Sequence, residues 1–148
     1  MAVKPIPDGY HTITPYLIAE GVPKLIDFLK QAFGATETFR MAQPDGTVRH
    51  AEVRVGDSNI MMGEACADFK AMPCSIHLYV PDSDAVYKRA IQAGATSIME
   101  VADQFYGDRS GGVRDPSGNS WWISTRKEDL SSEEIANRAE VAMKSRAK

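Results

Sequence analysis

A chain of 148 residues has the size of one compact domain or of two small fused modules, and 43% hydrophobic with 25% charged residues is enough to build a core. A net charge of -3, a pI near 5.6 and the lack of any block of like charge argue against nucleic acid or an anionic membrane as the main partner. No apolar run reaches the length of a membrane span, and the first residues hold no signal-peptide stretch, so a cytoplasmic protein is expected.

Residues His11 to Ile18 read as a strand. Val22, Leu25, Ile26, Leu29 and Phe33 then recur at helical spacing, with Pro23 suited to the first turn and Gly34 to the C-terminal cap. Strands follow over Ala35 to Ala42, Thr47 to Val55 and Asn59 to Ala65. The turns between them are Gln43-Pro44-Asp45-Gly46 and Gly56-Asp57-Ser58. Residues 65–73 form a link. Cys74 to Val80 reads as the next strand. A helix follows with Val86, Tyr87, Ala90 and Ile91 on one face, Asp82 or Ser83 as its cap and Gly94 at its end. The last three strands cover Ala95 to Ala102, Asp108 to Asp115 and Asn119 to Arg126, and Gly111-Gly112 marks a bulge or a close approach. In the tail, Ser131-Ser132-Glu133-Glu134 is a capping box. Ile135, Ala139 and Ala142 give its helix a narrow apolar stripe, expected to dock on its own domain or on a partner.

The order strand, helix, three strands occurs twice, and three identities repeat sixty residues apart. Gly34-Ala35-Thr36 returns as Gly94-Ala95-Thr96, Val53-Arg54 as Val113-Arg114, and Asn59 as Asn119. The expected fold class is therefore α+β: two tandem βαβββ modules forming a curved mixed sheet with a cleft, plus a C-terminal helix. The domain would span 1–128, with modules at 10–66 and 73–127 and a helical tail at 129–148. Cys66 and Cys74 match no zinc or redox spacing and read as two reduced thiols.

Alternation along the strands sorts their faces. Ala51, Val53 and Val55 oppose His50, Glu52 and Arg54; Ile76, Leu78 and Val80 oppose Ser75, His77 and Tyr79; Tyr16 lies opposite Leu17. The helices need the apolar faces, so the polar ones are left to line a cleft. Trp121 is expected on the helix side, and His11 in solvent.

Two βαβββ modules of this length resemble the vicinal-oxygen-chelate superfamily, which includes glyoxalases, bleomycin-resistance proteins and dioxygenases. The resemblance covers residues 10 to 127. The segments His50 to Val55 with Ile60 to Met62, and Tyr106 to Pro116 followed by Trp121-Trp122-Ile123, are similar to its PhnB-like branch, with Ser117 standing where an aromatic residue is common. The resemblance puts the superfamily's metal ligands at Thr14, Met62, Ser75 and Trp122, the sixty-residue shift pairing Met62 with Trp122. None of these is a competent ligand for zinc, nickel or iron. It also implies a homodimer.

Three functions compete. The first is a metal-free protein that binds a small molecule in its cleft, with no cofactor. Tyr16, Met62, Tyr79 and Trp122 would supply a flat lining, while His50, Glu52, Arg54 and Arg114 would supply polar contacts. The second is a glyoxalase- or dioxygenase-like enzyme with a divalent metal on an off-pattern set, His50, Glu52 and His77. The third is a metal-free acid–base enzyme using His77 as a catalytic residue with Glu64 or Arg54.

Overall fold

A computed structural model describes residues 2–147. The elements are β1 (Tyr16–Ala19), α1 (Val22–Phe33), β2 (Thr36–Ala42), β3 (Val48–Val55), β4 (Ser58–Glu64), β5 (Ser75–Tyr79), α2 (Ser83–Gln92), β6 (Thr96–Asp103), β7 (Asp108–Arg114), β8 (Ser120–Arg126) and α3 (Ser132–Arg146). Each module contributes a four-stranded mixed sheet. The strand orders are β1-β4-β3-β2 and β5-β8-β7-β6, with β1 parallel to β4, β5 parallel to β8 and the other neighbours antiparallel. This is the two-module α+β architecture expected from the sequence.

One core joins the modules. The α1 stripe of Val22, Leu25, Ile26 and Leu29 is fully buried against Ala51, Val53 and Met62 of the first sheet. Val86 and Ala90 of α2 lie with Val113, Trp121 and Ile123 of the second. Helices α1 and α2 pack together, and Phe33 at the end of α1 meets the Trp121 ring at 5.0 Å. Burying the indole of Trp121 contributes about 1.5–3 kcal/mol, the range for a large apolar side chain.

The helix ends follow local chemistry with one exception. Asp82 accepts from the amide of Ala85 at the start of α2, and Gly34 closes α1 at φ 67, a conformation that favours glycine. Helix α1 has no cap of its own, because Gly21 precedes it. Glu64 supplies one from β4, accepting from Gly21 N at 2.7 Å and Val22 N at 2.9 Å. In α3, Ser131 accepts from Glu134 N, but the Glu134 carboxylate is bonded by Arg138 instead of reaching back, so the capping box is half made. No residue of α3 is buried, and Arg138 ties it to Glu128 and the Phe105 carbonyl.

Two expectations are corrected. The first strand begins at Tyr16, not His11: Pro15 has no N–H to give, and only its carbonyl is used, by Met61 N. The sixty-residue shift fails beyond Arg54 and Arg114. Arg54 pairs with Asn59, whereas Arg114 pairs with Ser120, because the β7–β8 turn carries one residue more. The counterpart of Trp122 is therefore Met61. Met62 corresponds to Ile123, and both are fully buried on the helix side.

Candidate functional site

The helices cover one face of each sheet, and the opposite faces are open. On the first open face, strand pairing brings Tyr16, His50 and Glu52 together. The Tyr16 hydroxyl lies 3.1 Å from His50 Nδ1, and His50 Nε2 lies 3.0 Å from Glu52 Oε2. The Tyr10 hydroxyl, from the arm before β1, donates to Glu52 Oε1. A carboxylate only accepts, so Nε2 is the donor toward Glu52, and the neutral ring then offers Nδ1 as acceptor to the Tyr16 hydroxyl. Phe39 and Tyr16 flank the imidazole at 6.0 and 5.6 Å between ring centroids.

Tyr16 also forms part of an open cavity of about 820 Å³, with Met41, Arg49, Gly63, Cys66 and Phe69. Gly63 is needed there for space. A methyl group on it would lie 2.8 Å from the Tyr16 hydroxyl and 2.7 Å from the Arg49 carbonyl oxygen.

The second open face holds His77, Tyr79 and Trp122. The Trp122 indole lies against Gly112, where an added methyl would come within 2.5 Å of the ring, and its N–H donates to Ser75 Oγ at 3.0 Å. The close approach read from Gly111-Gly112 is thus explained on this side by an aromatic ring. Tyr79 reaches across β8 to the buried Asp108, donating to Oδ2 at 3.1 Å, and its ring sits 5.0 Å from that of His77. The hydrogen bond to Asp108 is the main cause that raises the Tyr79 phenol above its ordinary value. A raised phenol contributes stability that is complete below pH 10 and is lost as pH climbs through the folded value. Ultraviolet titration at 295 nm is expected to show one late tyrosine, and Asp108→Asn is expected to bring it back toward the others.

Between the modules runs a groove of about 670 Å³, with residues 9–15 of the arm, the β3–β4 turn, Phe33 and one side of β5 as its walls. His77 lies here. Among the described residues no three His, Cys, Asp or Glu side chains are grouped to hold a metal. The off-pattern set is therefore not assembled within a chain: His50 and Glu52 bond each other on the first sheet, and His77 stands on the second. Nor is Glu64 beside His77, since its carboxylate is committed to the α1 terminus. Met62, expected in the cleft, is core, because the extra turn residue moves the repeat by one. Arg54 donates to the Gly56 carbonyl, and Arg114 is exposed at the matching place on β7. His11 is exposed and Trp121 is core, as expected.

The model of the Glyoxalase/Bleomycin resistance protein/Dioxygenase superfamily matches residues 10–123. The chain belongs to this superfamily. Over 134 residues it is 34% identical to the uncharacterized protein Mb0911c of Mycobacterium bovis, covering 83% of this chain and 88% of that one. The fold is similar to TioX from Micromonospora sp. ML1, with TM-score 0.66, 25% identity and coverage of 78% and 98%. It is also similar to a PhnB protein from Bacillus cereus, with TM-score 0.60, 17% identity and coverage of 78% and 99%.

The four positions that the resemblance gave for a metal become, in the observed register, Thr14, Met61, Ser75 and Trp122. These residues do not fit a divalent metal: two neutral hydroxyls, a soft thioether and an indole that only donates are no ligand set for zinc, nickel or iron. Two of the four, Ser75 and Trp122, are bonded to each other. The sequence missed Tyr10, Arg49, Gly63 and Asp108. Neither periodicity nor spacing marks them, because each matters through a neighbour on another strand or on the arm.

Proposed function

We propose that this superfamily member binds a flat, mainly apolar small molecule on the open faces of its sheets, without the superfamily's metal, and does so as a homodimer in the PhnB-like branch. The observation that carries the reading is Trp122, held against Gly112 and pinned by Ser75 at a position that the resemblance gives for a metal ligand. An indole face exposed on a rigid sheet stacks on planar groups. His77 and Tyr79 extend the same surface. Tyr16, Phe39, Met41 and Tyr79 are all exposed on faces that the chain's own helices do not cover, and a second copy closes over these faces with the ligand held between. The PhnB-like assignment draws on the Tyr106 to Pro116 segment.

Thermal unfolding with a panel of planar aromatic compounds tests the binding. A ligand that raises the Tm of the wild type is expected to lose about tenfold or more in affinity in Trp122→Ala, since a stacked aromatic contact contributes about 1 kcal/mol beyond its buried area. Unchanged affinity in that variant would remove Trp122 as the binding surface, and one equivalent of tightly held metal lost on mutating His77 or His50 would sink the metal-free reading. Light scattering should give twice the 16.2 kDa chain mass, and the chain mass itself would remove the homodimer.

A further inference from the structure

The first open face carries more than a binding surface. Carboxylate, imidazole and hydroxyl stand in series from Glu52 through His50 to Tyr16, at 3.0 and 3.1 Å. This is the arrangement by which a base, oriented by a third group, activates a hydroxyl. The orientation is fixed from behind, because Tyr10 occupies the other oxygen of Glu52. It is fixed in front by Gly63, whose missing side chain leaves room for the Tyr16 hydroxyl against the backbone. The series ends in the open: Tyr16 is 45% exposed and lies in the 820 Å³ cavity, whereas His50 and Glu52 are mostly covered. In the same cavity Met41 and Phe69 offer apolar contact, and the guanidinium of Arg49 makes no ion pair among the described residues.

We propose that Tyr16, His50 and Glu52 form a metal-free proton-transfer site acting on a flat carbonyl compound that carries an anionic group. The inference rests on the reading that the open face holds a small molecule. Arg49 holds the anion, because its planar fork matches a carboxylate. Met41 and Phe69 take the flat part. The Tyr16 proton moves to His50 Nδ1, giving an imidazolium opposed by Glu52 and a phenolate facing the ligand. The phenolate takes a proton from the carbon next to the carbonyl, and the bonding pair moves to the oxygen as an enolate. Tyr16 then returns a proton to carbon or to oxygen. One C–H bond breaks and one C–H or O–H bond forms, with no electrons gained or lost. Tyr16 is the catalytic residue; His50 and Glu52 act through it.

Two measurements test this. The first needs no substrate: benzenesulfonyl fluoride labels an activated phenol, the oxygen displacing fluoride while the proton passes to the base. Peptide mass spectrometry is expected to find Tyr16 labelled at least tenfold faster than Tyr79, with the excess lost in His50→Gln. Equal rates at the two tyrosines would overturn the proposal. The second uses 3-benzoylpropanoate in D₂O, following by proton NMR the exchange of the methylene beside the ketone. Wild-type protein is expected to exceed the blank by about a hundredfold, the scale of a positioned acid–base group, and Tyr16→Phe to lose that gain while still binding the keto acid. Binding without exchange in the wild type overturns the relay and leaves the binding reading standing. If no aromatic compound binds, the binding reading fails, and the labelling rate still decides whether Tyr16 is activated.

Discussion

Asp115→Ala is expected to destabilise the protein by about 3–5 kcal/mol, because several buried donors lose their acceptor at once. The carboxylate is 4% exposed and accepts four hydrogen bonds within 3.0 Å. They come from Ser117 N and Asn119 N on Oδ1, and from Asn119 Nδ2 and Trp121 Nε1 on Oδ2. Asn119 passes the order on, accepting from Cys74 N just ahead of β5. One carboxylate thus ties the β7–β8 turn, the largest side chain of the core and the entry of the second module. Removing it leaves an indole N–H and three amide N–H donors without their acceptor in a place with little water. Urea unfolding should show the midpoint fall with little change in slope, and the Tm should drop by roughly 10 °C or more. Asp115→Asn keeps the shape but turns an N–H₂ toward a donor, so it should fall between. A loss below about 1 kcal/mol for the alanine variant would mean that water replaces the carboxylate readily. The first module has Val55 at the matching place, so the corresponding change there has no such network to break.

Gly112→Ala is expected to be the second largest effect, and it should separate binding from folding. The added methyl would lie 2.5 and 2.6 Å from two atoms of the Trp122 ring, well inside contact distance. The ring cannot yield cheaply, since its N–H is bonded to Ser75 and rigid ring atoms, not a flexible chain end, meet the methyl. Overpacking of this kind costs about 1–3 kcal/mol. The strand survives, because Gly112 needs no positive φ and any residue tolerates its backbone. The indole must lift away and give up its bond to Ser75. A flat ligand bound by the wild type should therefore lose affinity in Gly112→Ala about as far as in Trp122→Ala, and indole fluorescence should change. Trp121 is a second emitter, so the Trp122→Phe background is the control. Full affinity in the alanine variant would place the ligand elsewhere than on this ring.

The relation between sequence and structure differs from element to element. The α1 stripe from Val22 to Leu29 was legible because a helix repeats its buried face over three turns. Alternation sorted β3 correctly, with Ala51 and Val53 in the core and His50 and Glu52 on the open face. The repeat in Gly34/Gly94 and Arg54/Arg114 identified two modules of one kind. It misplaced Met62 because one extra residue in a turn shifts a strand by one, and a shift of one reverses every side chain's face.

The sequence by itself therefore determined the two-module plan and the helix faces. Those depend on residue type and on spacing within one element. Only the tertiary structure decided which polar groups meet. It put Glu64 on a helix end instead of beside His77, separated His77 from His50 and Glu52, and joined Tyr16 to His50, which bonds Glu52 in turn. Such contacts span 34 and 43 residues of chain, and the register between strands sets them. Spacing along a single strand carries no record of that register.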